Sequence, residues 1–162
     1  INCHKTHDFQ LDVPKNLDFR YIVRIRHPLE SIVSWYRFNF ERVYSNEIKD
    51  SKDFFLKFAD NKIDFWKKFI NKWIIKNNET NIEIFKYHEF LNNPYDDLSR
   101  LIKEVFEENV DNKKLLNVLK DIRVEKKNTV YKFKYYDLDF FKNIENKVIN
   151  ELELVDIPLI FE

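Results

Sequence analysis

The stretch Tyr21–Tyr36, YIVRIRHPLESIVSWY, decides how the chain is read. From Phe19 to Ile25 the residues are rich in Tyr, Ile and Val and alternate little, which predicts a strand buried on both faces. Pro28 suits the first turn of a helix, where its missing N–H costs nothing. Leu29, Ile32, Val33, Tyr36, Phe40 and Val43 then recur at helical spacing and predict a helix to about Tyr44. At ~100° per residue, Ser31 and Ser34 lie roughly opposite that stripe, so Ser34 is predicted to be accessible. Arg26 falls at the carboxyl end of the strand, just before a helix whose first N–H groups lack partners and attract anions. Arginine offers a planar fork of donors and serine a hydroxyl, a set suited to a phosphate. The same residues also read as a surface arginine beside a solvated helix face, and Arg24 reads as a structural or surface residue.

Working outward, Ile1 to His7 suits the tail of a strand, and Leu11 to Asp18, with Pro14 and Asn16, a loop. Ser51 to Asn77 keeps a helical period, with Ile63, Trp66, Phe69, Ile70, Trp73 and Ile74 as a core stripe. Ile82 to Tyr87 predicts a second short buried strand. In NNPYDD, Asn93 suits an N-cap, Pro94 the first turn, and Asp96 and Asp97 the positive end of a helix. Asp111 to Lys127 and Leu138 to Leu152 also predict helices. Alternating strand and helix implies an α/β class with a parallel sheet and crossover helices.

Composition limits the function. Lys plus Arg and Asp plus Glu both number 28 among 162 residues, so the formal net charge is zero. A neutral chain has no global attraction for nucleic acid or an anionic membrane, so any anion binding is local. The length fits one domain, 1–162. The single cysteine, Cys3, leaves no internal disulfide and points to a reducing compartment, the cytoplasm. No apolar run reaches the ~20 residues of a membrane span, so a soluble domain is expected. The chain has no glycine, which rules out a glycine-rich phosphate loop within these residues. It has no methionine either, and a reactive-looking cluster stands within its first eight residues, as expected of a fragment lacking N-terminal sequence. Four scattered histidines without helical i, i+4 spacing do not suggest a metal site.

Three motifs together carry a family resemblance. RHPLESIVS, with Arg26 and Ser34 eight positions apart, resembles the 3′-phosphate motif of sulfotransferases that use 3′-phosphoadenosine-5′-phosphosulfate (PAPS). Upstream, HKTHD resembles that family's K-T-H segment. Downstream, YHEFLNNP resembles its Y-E-D-L strand end with a proline four residues on, although His88, Glu89 and Phe90 replace Glu, Asp and Leu. The resemblance covers roughly residues 1–107 and implies a P-loop-NTPase-like parallel sheet flanked by helices, in a single sulfotransferase-like domain that is N-terminally incomplete. It implies PAPS as co-substrate, 3′-phosphoadenosine-5′-phosphate (PAP) as product, and a hydroxyl-bearing acceptor: a carbohydrate, lipid or small molecule. Arg26 and Ser34 take the 3′-phosphate positions, Tyr87 the adenine position, His7 the catalytic base and Lys5 the stabiliser of the transferring group. The family's glycine-containing C-terminal segment has no counterpart; Lys126, Lys127, Lys132 or Lys134 could replace it electrostatically.

The chemistry suits these residue types. Sulfuryl transfer, like phosphoryl transfer, needs aligned reactants and cations at the equatorial oxygens. A histidine, with a reference pKa of ~6.5, takes a hydroxyl proton near neutral pH. A lysine two residues earlier on an extended segment shares its face, with Thr6 turned away. His4 is out of phase and reads as structural, and His27 reads as an N-cap that helps the turn. Two other readings stand beside the enzyme: a non-catalytic binding or scaffold domain that keeps only the 3′-phosphate corner, and a nucleotide kinase. The K-T-H segment argues against the kinase, whose chemistry calls for metal-binding acidic residues near the phosphates instead.

Overall fold

A computed structural model describes residues 5, 7–43, 50–76, 80–121 and 130–161. It is a helix-rich α/β structure with a small two-stranded parallel sheet flanked by helices. The chain divides into two compact units, one of Ile1–Ile25 and Asn77–Lys126, the other of Arg26–Lys76 and Lys127–Glu162.

In the first, the sheet unit, strands β1 (Tyr21–Ile25) and β2 (Ile82–Lys86) pair in parallel, from Tyr21 opposite Ile82 to Ile25 opposite Lys86. The expected strand buried on both faces is not found: Val23 and Ile25 are buried, whereas Ile22 and Arg24 are exposed. Successive side chains of any strand point to opposite faces, and here one face alone is closed. Phe19 precedes the strand and is exposed. Helices α3 (Tyr87–Asn92), α4 (Pro94–Phe106) and α5 (Asn112–Asp121) complete this unit. As read from NNPYDD, Asn93 is the N-cap residue of α4, Pro94 opens it, and Asp96 and Asp97 stand in its first turn. The Asn93 side chain bonds the Asp96 carboxylate, not a helix N–H. Arg100 ties α4 to β2, donating to the Ile84 carbonyl (3.4 Å) and pairing with Glu83 and Asp97. The rest of the predicted Asp111–Lys127 helix, residues 122–127, lies outside the described residues.

In the second, the helical unit, α1 (Pro28–Tyr36) runs into a π-helical segment, π1 (Arg37–Val43), and α2 (Lys52–Ile70) into another, π2 (Asn71–Ile75). Within π1 the Asn39 carboxamide donates to the Trp35 carbonyl, and Asn71, the first residue of π2, donates to the Lys67 carbonyl, each at 2.9 Å. A π-helical turn is wider than an α-helical one. The wider turn shifts the helical phase, so Val43, predicted in the apolar stripe, is exposed, and Phe40 is half-buried. Tyr44 lies outside the described residues.

Helix α2 is capped by Ser51, whose hydroxyl accepts from the Phe54 N–H (3.2 Å), and it buries Phe55, Ala59, Ile63, Trp66 and Ile70. Trp73 is buried too, and Phe69 half-buried, as the spacing predicts. An aromatic cluster sits within the mainly aliphatic core of this unit. Phe55 lies 4.6 Å from Phe133, 5.1 Å from Tyr36 and 5.9 Å from Phe141, measured between ring centres. The segment read as one helix over Leu138–Leu152 is two, α6 (Leu138–Asn146) and α7 (Ile149–Leu154). The chain turns at Val148, whose N–H donates to the Glu145 carbonyl (3.0 Å), and the turn buries Val148 along with Leu152 and Val155. No helix among the described residues is long and apolar enough to cross a membrane.

Candidate functional site

The candidate site begins at the corner where α1 starts. The Arg26 carbonyl accepts from the Trp66 indole N–H (3.2 Å), which fixes the backbone. Its Nε donates to Glu30 Oε2 (2.9 Å), one turn into the helix, which fixes the half-buried guanidinium. His27 is the N-cap residue, and its Nδ1 accepts from the Leu29 N–H (3.3 Å). Its Nε2 therefore carries the proton and faces Glu145 Oε1 at 3.0 Å, with both side chains buried. Glu145 also accepts from the Ile160 N–H (2.7 Å) and the Phe161 N–H (3.1 Å). Burial pushes the Glu145 carboxyl up, but His27 and the two amides outweigh it and hold the group below the usual carboxylate range. The corner is thus rigid on its own account, and His27 helps the turn as read from the sequence.

Ser34 is exposed while its neighbours Ile32 and Val33 are fully buried, in agreement with the helical phase. Arg26 and Ser34 belong to the helical unit; Lys5, His7 and Tyr87 belong to the sheet unit.

Lys5 and His7 are exposed and lie in no strand, and the rest of the expected strand tail lies outside the described residues. The His7 ring stacks on Phe9, 5.0 Å between centres and 7° between planes. Between them Asp8 turns inward and accepts from the Val13 N–H (2.9 Å), closing a tight loop. In that loop Leu11 has φ 57°, a left-handed conformation uncommon for any residue but glycine and strained for a bulky one. Sequence reasoning missed Phe9 and Asp8. Continuing the alternation of Lys5 and His7 by one step would have reached Phe9.

Tyr87 follows β2 directly and opens α3. The exposed Arg24, set aside on sequence grounds, holds its guanidinium carbon 5.8 Å from the centre of the Tyr87 ring. This contact fits a cation–π pairing and brings Arg24 back beside a candidate site residue. Of the four lysines that could replace the missing closing segment, Lys126 and Lys127 lie outside the described residues. Lys134 pairs with Asp50 and with Glu41 (3.3 Å), and Lys132 is exposed. Neither a protein-family model, nor a curated protein, nor a solved structure matches the chain.

Proposed function

We propose that this chain is part of a PAPS-dependent sulfotransferase, with P-loop-NTPase-like architecture, that transfers a sulfuryl group to a hydroxyl acceptor. The observation that carries the reading is the corner itself: Arg26 held at backbone and side chain before a capped helix that leaves Ser34 exposed. A preorganised arginine and a hydroxyl beside a helix N-terminus suit a dianionic 3′-phosphate. The donor set fits that end of the co-substrate, and Tyr87, half-buried with an arginine over its ring, offers a face for adenine.

PAPS, when bound, supplies the activated sulfuryl group. His7, exposed and stacked on Phe9, takes the acceptor hydroxyl proton as the new O–S bond forms and the bond to the 5′-phosphate oxygen breaks. Lys5 sets a positive charge against the sulfuryl oxygens. A second reading, a domain that binds the nucleotide without transferring anything, is favoured by the lack of a glycine-rich phosphate loop among these residues. Calorimetric titration of the intact protein with PAP tests the phosphate assignment. Saturable binding that Arg26→Ala weakens by at least ~1.5 kcal/mol, as for a charge-assisted bond, is the expected result. No binding by the intact protein would refute it. Sulfate transfer to a hydroxyl acceptor separates the two readings.

A further inference from the structure

The helical unit also carries an open groove of about 450 Å³, lined by Arg37, Phe40, Glu41, Asp50, Lys132 and Lys134. That volume suits a small molecule, for which pockets run to roughly 300–1,000 Å³. Its carboxylates are already engaged. Asp50 accepts from the hydroxyls of Tyr36 (2.6 Å) and Tyr135 (2.8 Å) and pairs with Lys134, which also reaches Glu41 at 3.3 Å. Burial pushes the Asp50 carboxyl up, but Lys134 and the two tyrosines outweigh it and keep the group ionised. Two cations of the lining are not so engaged: among the described residues, no carboxylate pairs with Arg37 or with the Lys132 amine. Arg37 is nevertheless held in place, donating to the Lys132 carbonyl (3.0 Å) and lying 5.5 Å from the centre of the Phe133 ring.

The wall that supplies Arg37, Phe40 and Glu41 is π1. Departures from α-helical bonding of this kind are rare and gather at functional sites. From the fixed guanidinium, the second unpaired cation and the aromatic ring, we infer that the groove binds a small organic anion. The acid group, a carboxylate or a sulfate or phosphate ester, lies between Arg37 and Lys132, and the apolar body lies against Phe40. This site does not depend on the sulfotransferase reading.

The test is a chemical-shift titration of the intact protein with sodium benzenesulfonate, with benzyl alcohol as the uncharged match. Saturable shifts at Phe40 and Lys132 with the sulfonate alone are expected. Lys132→Gln, at an exposed amine, should leave the thermal midpoint unchanged and weaken binding at least fivefold, whereas Arg26→Ala should not affect it. Four results would each overturn the proposal: no saturable shift, equal shifts with the alcohol, full affinity in Lys132→Gln, or loss of binding in Arg26→Ala.

Discussion

His27 and Glu145 meet in the interior of the helical unit with Nε2 and Oε1 3.0 Å apart, 5% and 2% exposed. One end of the pair caps α1; the other holds the amides of Ile160 and Phe161. Removing the carboxylate leaves the buried imidazole N–H without its acceptor, at a typical cost of about 1–3 kcal/mol. Glu145→Ala is expected to lower stability by that order, read from urea unfolding. Because the folded carboxyl sits below its ordinary value, its contribution is complete above the unfolded pKa of ~4.5 and fades as pH falls through the folded value. Wild-type stability should therefore drop on acidification below about pH 4.5, and Glu145→Ala should flatten that drop. An unchanged acid profile in the variant would remove the pair from this role.

Ser34 is exposed on α1, so Ser34→Ala costs the fold little, within ~0.5 kcal/mol. If its hydroxyl meets the 3′-phosphate, the same change weakens PAP binding by about 0.5–1.5 kcal/mol. Calorimetry and a thermal melt on one preparation check both halves.

On the proposed sulfotransferase reading, His7→Ala is expected to abolish sulfate transfer while PAP affinity stays nearly the same, since a base there would act on the acceptor and not on the nucleotide. Transfer assays and PAP titration read the two quantities separately. Full activity in the variant would take His7 out of the mechanism.

Tyr36 is fully buried, and its hydroxyl donates to Asp50 at 2.6 Å. Burial first, and then the hydrogen bond to Asp50 and its charge, push the phenol pKa far up, so it remains a donor at any working pH. Tyr36→Phe keeps the ring packing and removes one bond to a charged acceptor, at a cost of about 1.5–3 kcal/mol. Chemical unfolding measures it; a change below ~0.5 kcal/mol would mean that Tyr135 and Lys134 satisfy Asp50 without help.

Helix α4 ends on Glu107, with φ 55°, where proteins commonly place glycine. The left-handed conformation costs a non-glycine residue roughly 1–2 kcal/mol, partly offset by the chain entropy that glycine loses. The exposed Arg20–Glu107 pair adds little. Glu107→Gly is expected to raise stability by up to about 1 kcal/mol, a gain that a thermal melt would show.

Local pattern made much of this fold legible. The β1–α1 corner, the Asn93–Pro94 helix start, the α2 stripe and the exposure of Ser34 all follow from periods and caps that operate over a few residues. What failed did so where the backbone left α-helical bonding or the chain turned within a helical pattern. No spacing in the sequence marks where α1 and α2 widen into π-helical turns, at Arg37 and at Asn71. Nothing near Val148 signals that the predicted helix divides there.

The amino-acid order therefore determined most of the elements, the parallel pairing and the corner residues Arg26 and Ser34, because helix and strand periods and capping chemistry are local. Lys5, His7 and Tyr87 entered through the resemblance of their motifs to a family. Tertiary structure alone decided that Arg24 lies over Tyr87, that His27 meets Glu145, and that Arg37 and Lys132 share a groove with carboxylates already engaged. Those relations join residues far apart in the chain, and their partners are selected by packing and burial, which no spacing within a short segment records.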